Sequence, residues 1–194
     1  MIKDNVLITG CSSGLGVFLA EKFESMGHKV IKHNGRKHFD LNNIEDIKSL
    51  VELSVDNDVK LLINNAAIGC PSKKLEDYDI EEINSMINVN LRAPIILVFL
   101  LSKYLNNIIN INSMVGLEIK KNRTLYSATK WGLRGFSNSY ELEQENIQTL
   151  DIYPTNIKTT PERKNAMDAN WVVDEIYKAY IKGETSLILD GRNK

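Results

Sequence analysis

Apolar positions along the chain follow two alternating patterns. Short, nearly continuous apolar runs occupy 5–9, 29–33, 60–64, 108–112, 149–153 and 186–189. Between them lie longer stretches in which apolar residues recur every three to four positions, at 13–26, 42–55, 75–105, 125–146 and 169–182. The runs read as strands and the stretches as helices. In 13–26 the residues Leu15, Phe18, Leu19, Phe23 and Met26 share one stripe, and Asn42 with Glu45 three residues on predicts the start of the second helix. Strands that alternate with helices pair in parallel through right-handed crossovers. Continuous apolar strands imply that both sheet faces are covered. The expected fold is an α/β, three-layer, doubly wound parallel sheet in a single domain over 1–194, with loops at 68–75 and 155–168.

Composition narrows the class. A chain of 194 residues supports one hydrophobic core. A net charge of -1 builds no field for nucleic acid or an anionic membrane. The longest apolar run, Ala93–Leu101, is too short to span a bilayer and contains Pro94. The start Met-Ile-Lys-Asp-Asn has no secretory pattern, so a cytoplasmic location is expected. Two cysteines, Cys11 and Cys70, make no disulfide framework. His28, His33 and His38 have no ligand spacing and read as surface residues near the second strand, so no metal site is expected.

The first strand runs into Thr9-Gly10-Cys11-Ser12-Ser13-Gly14-Leu15-Gly16 and then a helix. Gly10 suits a tight turn, Gly14 a close backbone approach to pyrophosphate, and Gly16 close packing of helix on sheet. The helix start offers free N–H groups to an anion. The second strand ends His33-Asn34-Gly35-Arg36-Lys37, without the acid that would bind a ribose 2′-hydroxyl. Arg36 instead suits a 2′-phosphate, so NADP(H) is preferred over NAD(H).

Tyr126 and Lys130 are four residues apart in a predicted helix and project from one face. An ammonium beside a phenol stabilises the phenolate, as a proton donor to a carbonyl oxygen requires. With the residues around them they resemble the short-chain dehydrogenase/reductase family along nearly the whole chain. The glycine motif is similar to Thr9 through Gly16, and the adenine-binding Asp to Asp40-Leu41. The Asn-Asn-Ala-Gly motif is similar to Asn64-Asn65-Ala66-Ala67, the active-site Asn to Asn90, and the active-site Ser to Ser113. Tyr-x-x-x-Lys is similar to Tyr126 through Lys130, and the Pro-Gly turn with its later Thr to Pro154-Thr155 and Thr159.

The resemblance implies a Rossmann fold and an oxidoreductase that reduces small carbonyl compounds to alcohols, or the reverse, by hydride transfer. It assigns Tyr126 as general acid/base, Lys130 to lowering the tyrosine pKa and binding ribose, Ser113 to the substrate oxygen, and Asn90 to a water leading to Lys130. It assigns cofactor contacts to Gly10, Ser12, Ser13, Gly14, Leu15, Gly16, Asn34, Arg36, Asp40, Leu41, Asn65, Ala66, Ala67, Tyr126, Lys130, Pro154, Ile157 and Thr159.

Departures from the family pattern carry expectations of their own. Ala67 and Thr155 stand where the family has glycine, and the helix usual between the second strand and Asp40 is missing or trimmed. The short stretch from Thr155 to Asp168 predicts an open substrate side and broad acceptance of small substrates. Cys70, beside Pro71, reads as an ordinary loop thiol near the cleft. A homodimer or homotetramer is implied through helices bearing Val98, Phe99, Leu101, Trp131, Leu133 and Phe136. The competing class is a non-catalytic NADPH-binding or sensor protein on the same fold. A nucleotide-sugar epimerase or dehydratase is disfavoured by the short chain after Pro154.

Overall fold

The computed structural model describes residues 3–69, 72–160 and 165–192. Cys70 and Pro71, and residues 161–164 of the expected loop, lie outside the described residues. The chain runs β1 (Asn5–Thr9), α1 (Leu15–Ser25), β2 (Val30–His33), α2 (Ile44–Asp56) and β3 (Val59–Asn64). It continues through α3 (Ile80–Ile87), a π-helical turn at Asn88–Arg92, α4 (Ala93–Leu101), β4 (Asn107–Ile111), α5 (Thr124–Glu143) and β5 (Gln148–Pro154). The two-residue strands β6 (Ile157–Lys158) and β7 (Met167–Asp168), then α6 (Ala169–Lys182) and β8 (Ser186–Leu189), complete it.

Six strands form one parallel sheet in the order β2-β1-β3-β4-β5-β8. The chain moves outward from β1 to β2 and then returns to place β3 on the other side of β1. That reversal opens a crevice at the carboxyl ends of β1 and β3, where doubly wound sheets take their ligands. No strand or helix intervenes between β2 and α2, so β2 is the sheet edge, in line with the shortened segment before Asp40.

Alternation along the strands sends successive side chains to opposite faces. Val6 and Ile8 join Leu19 and Phe23 of α1 and Val172 and Ile176 of α6 in one core layer. Leu7 faces the other way, with Leu50 of α2 and Leu97 and Leu101 of α4. Phe136 and Tyr140 of α5 pack against the edge of that second layer.

Three local readings shift. The cap of α2 is Asn43, whose side chain accepts from the Glu45 N–H at 2.9 Å. Asn42 is already engaged, giving both its backbone and side-chain N–H groups to Asp40 Oδ1. Segment 75–105 is helical in pieces, with a 3-10 turn at Leu75–Asp77 and the π turn just ahead of Pro94. Proline lacks the N–H that an unbroken α ladder would need there. Ile80–Leu101 is one helical run long and apolar enough to cross a membrane by length and composition, yet Ala93, Leu97, Val98 and Leu101 are buried on the sheet.

Two of the three histidines are buried, against the surface reading. His28 Nδ1 lies 2.9 Å from the Asp4 carbonyl and its Nε2 3.2 Å from the Tyr177 hydroxyl. Its ring packs with Phe23, Tyr177 and Tyr180. Phe23 is the fully buried centre of this cluster. Phe23→Ala should lower stability by about 3–5 kcal/mol, read as a fall in urea midpoint at unchanged slope.

Candidate active site

The glycine turn is fastened to the end of β3 before any ligand arrives. Thr9 Oγ1 accepts the N–H groups of Asn65 and Ala66, each at 3.0 Å. Asn65 Nδ2 donates back to the carbonyls of Thr9 (2.8 Å) and Gly10 (3.1 Å). Gly16 packs so closely on this turn that a side-chain carbon there would run into the Gly10 carbonyl. Gly14 caps α1 at φ 63 and ψ -145, a conformation reserved in practice for glycine. No side chain caps α1 and no acid occupies its first turn, so its N–H groups and positive dipole end face the crevice. That arrangement fits a dinucleotide pyrophosphate.

The crevice beyond the turn encloses about 310 Å³. Its walls include Gly10, Ser12, Ser13, Gly14, Leu15, Arg36, Asp40, Leu41, Asn65, Ala66 and Ala67. Asn34 is exposed and does not line it, whereas His33 and Gly35 on either side do. His33 accepts the Gly10 N–H at Nδ1 (3.0 Å), and its Nε2 donates to the Phe39 carbonyl (2.8 Å). Both ring nitrogens are used by the neutral tautomer. Burial pushes the His33 pKa down, which keeps that tautomer in place. Arg36 is exposed, with Nε 4.0 Å from Asp40 Oδ1. Partial burial opposes ionisation of Asp40, but hydrogen bonds from Asn42 and the field of Arg36 hold its carboxyl below the ordinary range.

Past Gly14, Leu15 and Ala67 the crevice opens into a second cavity of about 480 Å³. Ser113, Tyr126, Pro154, Ile157 and Thr159 line it. Ser113 lies two residues beyond β4 and caps the short 3-10 turn at Met114–Gly116, its Oγ accepting from the Val115 N–H at 3.2 Å. The hydroxyl proton is then free to point into the cavity. Asn112 Nδ2 donates to the Lys130 carbonyl at 3.2 Å, tying the end of β4 to α5. Tyr126 lies on the first turn of α5, and the Lys130 ammonium sits 5.6 Å from its ring centre.

Asn90 and Lys130 stand behind the wall. Asn90 lies in the π turn and grips the backbone of Ile68 at both ends, accepting from its N–H (2.7 Å) and donating to its carbonyl (3.1 Å). The same amide reaches Thr129 Oγ1 at 3.5 Å, next to Lys130 in the chain. Lys130 is 2 % exposed and donates from Nζ to the Ile111 carbonyl at 2.9 Å.

Beneath it runs a buried polar ladder that periodicity gave no sign of. Asn64 donates to Asn110 Oδ1 (2.9 Å), and Asn110 donates to Asp151 Oδ1 (3.0 Å) and Ser137 Oγ (3.1 Å). Tyr153 donates its phenol proton to Asp151 Oδ2 at 3.0 Å. The three strand residues are register partners across β3, β4 and β5. Burial lowers the Lys130 pKa to about 8, and the negative field of Asp151 opposes the drop. Burial likewise pushes the Asp151 carboxyl up.

Other lining residues are ones that periodicity does not rank: Phe39, Ile68 and Val89 of the π turn in the first cavity, and Met114 of the 3-10 turn, Lys120, Arg123 and Arg192 in the second. Thr155 replaces a glycine without strain, since its φ is not positive. Its hydroxyl instead accepts the Gly191 N–H at 2.9 Å. The Lys130 shift predicts a pH effect of definite sign. Between pH 8 and 10.5 the folded state has released this proton while the unfolded chain retains it, so stability from this group rises with pH. Across that window wild type should gain on Lys130→Met by on the order of 3 kcal/mol, measured by urea unfolding of both at each pH.

A family model described as short chain dehydrogenase matches residues 36–170. An uncharacterized oxidoreductase of Staphylococcus haemolyticus is 30% identical over 183 residues, spanning 79% of this chain and 78% of that protein. Sorbitol-6-phosphate 2-dehydrogenase of Klebsiella pneumoniae is 27% identical over 222 residues, spanning 93% of this chain and 82% of that protein. The crystal structure of the bulky-bulky ketone specific alcohol dehydrogenase of Comamonas testosteroni matches with a TM-score of 0.82 at 26% identity, over 95% of this chain and 85% of its own. A Rossmann sheet, a glycine turn at its switch point and these matches lead to one assignment: the chain belongs to the short-chain dehydrogenase/reductase family of NAD(P)-dependent oxidoreductases.

Proposed function

We propose that this enzyme interconverts small carbonyl compounds and alcohols with a preference for NADP(H), using Tyr126 as general acid in reduction and general base in oxidation. The observation that carries the reading is the placement of Ser113 and Tyr126 on one cavity wall, continuous with the dinucleotide crevice, with Lys130 buried behind them. When bound, the nicotinamide supplies the hydride.

The protein's own groups handle the oxygen. Tyr126 gives its phenol proton to the substrate oxygen as negative charge develops there. The Lys130 ammonium stabilises the phenolate left behind, and with the cofactor bound it would be the group to hold the nicotinamide ribose. The Ser113 hydroxyl donates to the same substrate oxygen and supports its charge. Asn90 fixes Ile68 at the crevice floor and orders a water through which Lys130 is reprotonated. The backbone of Ser12, Ser13, Gly14 and Leu15 would take the pyrophosphate on the open end of α1, with Gly10 and Gly16 shaping the turn. Asn65, Ala66 and Ala67 would hold the adjoining ribose, Asp40 and Leu41 the adenine, and Pro154, Ile157 and Thr159 the nicotinamide. Arg36 supports NADP(H), because it lines the crevice where no acid closes β2.

A homodimer or homotetramer belongs to the same reading. Phe99 on α4 is 74% exposed and Trp131 on α5 is 42% exposed, which supports burial against another copy. Val98, Leu101 and Leu133 are core residues and drop out of that surface. A cytoplasmic location goes with it. The non-catalytic reading is not favoured, since Asn90, Ser113, Tyr126 and Lys130 are all in place and the relatives are named as oxidoreductases.

The test is a titration with NADPH and NADH read by nicotinamide fluorescence, then a panel of aldehydes and ketones. Tyr126→Phe should bind NADPH as wild type does yet lose kcat by about 10²–10⁴-fold. Retained turnover would remove Tyr126 from its role. Arg36→Ala should reduce the NADPH-to-NADH affinity ratio about tenfold. An unchanged ratio would end the case for a 2′-phosphate contact.

A further inference from the structure

The substrate end of the cleft has a one-sided electrostatic lining. Lys120, Arg123 and Arg192 all border it, and no carboxylate among the described residues does. The three cations come from two distant parts of the chain. Lys120 and Arg123 lie in the turn that leads into α5, and Arg192 lies after β8. They share the cavity with the Ser113 and Tyr126 hydroxyls, whereas Arg36 belongs to the opposite end of the crevice.

Arg192 is held rather than free. The segment that carries it is tied down by Thr155, whose N–H donates to the Leu189 carbonyl at 2.9 Å and whose hydroxyl accepts from Gly191. The Arg192 guanidinium forks onto both Glu118 oxygens at 2.8 Å and also engages Asp190 at 2.6 Å. Those bonds pull Glu118 below the ordinary carboxylate range and Asp190 down to about 2. Both acids therefore stay ionised and committed to Arg192. Lys120 makes no hydrogen bond or ion pair of its own among the described residues, although its field reaches both acids. Among the described residues, the two carboxylates Glu118 and Asp190 do not offset the three cations Lys120, Arg123 and Arg192.

A neutral ketone gains nothing from such a rim, while a carboxylate or phosphate gains charge-assisted hydrogen bonds at a point set back from the reacting oxygen. Resting on the reading of Ser113 and Tyr126 as the reacting end, we infer that the substrate carries an anionic group, a carboxylate or a phosphate. Lys120 and Arg123 hold that group, and Arg192 fixes the wall behind them. The open substrate side then selects by charge what it cannot select by enclosure.

Kinetics on two matched pairs with the NADPH-loaded enzyme test this: dihydroxyacetone against its phosphate, and methyl acetoacetate against acetoacetate. The anionic member of at least one pair should have the higher kcat/KM by about tenfold. Which pair responds tells phosphate from carboxylate. The advantage should shrink as salt rises from about 50 mM to about 500 mM. The anionic-to-neutral ratio should fall about tenfold in Lys120→Gln and further in Lys120→Gln with Arg123→Gln. Equal or better use of the neutral member in both pairs would overturn the inference and leave the proposed function standing. A loss of NADPH affinity in Lys120→Gln with the ratio unchanged would also overturn it, by giving the cations to the cofactor. If no compound is turned over, the proposed function fails separately. Calorimetric titration of the same four compounds into the NADP-loaded protein then decides. Binding of an anionic member that Lys120→Gln removes supports the inference, and binding of neither anion refutes it.

Discussion

The site depends on keeping a lysine ammonium out of water. An unpaired buried charge is among the costliest things a fold can hold. Lys130 is kept by the Ile111 carbonyl, which takes one of its protons, and by the field of Asp151 two strands into the sheet. Asp151 is itself tolerable only because Asn110 and Tyr153 donate to it. Through the field of Asp151 the lysine near Tyr126 feels a polar column that runs through β5, β4 and β3 to Asn64. With a pKa near 8, Lys130 sits close to the point where cationic and neutral forms balance, so small changes in its surroundings alter the charge that Tyr126 feels.

The glycine-turn side is built differently: there side chains hold the backbone in place. Four hydrogen bonds join the first turn to the end of β3, two between Thr9 and Asn65, one from Asn65 to Gly10 and one from Ala66 to Thr9. His33 fills the gap on the β2 side, bridging Gly10 to Phe39. With the walls fixed from both strands, the open end of α1 is presented to an anion with little left to reorganise.

The second cavity draws its wall from distant parts of the chain. Few residues separate β5 from α6, and the segment after β8 takes part in the wall. Thr155 makes this possible. Its hydroxyl anchors Gly191, a bond that a glycine at that position could not form. A departure from the family pattern thus serves as a structural fastening, and it carries Arg192 to the cavity.

Much of this was legible in the sequence. Strand and helix periodicities fixed the α/β alternation, because burial on both sheet faces writes apolar runs of recognisable length. The glycine turn, Ser113, Tyr126, Lys130 and Asn90 were singled out because they resemble the family's motifs in the same order along the chain. What periodicity could not register was any polar residue whose partner is distant in the chain. His28 and His33 looked like surface residues until Tyr177 and Gly10 were brought to them. Asp151 and Asn110 stand inside apolar strands, and only the register sets them side by side. Asn34 and Arg36 could not be separated by sequence, since only the path of the turn after β2 decides which side chain meets the crevice. Local pattern determined the elements, and motif resemblance picked out the candidate site residues. Tertiary structure alone decided which charges are buried, which are paired, and which are left facing the substrate, because those outcomes depend on contacts between residues far apart in the chain.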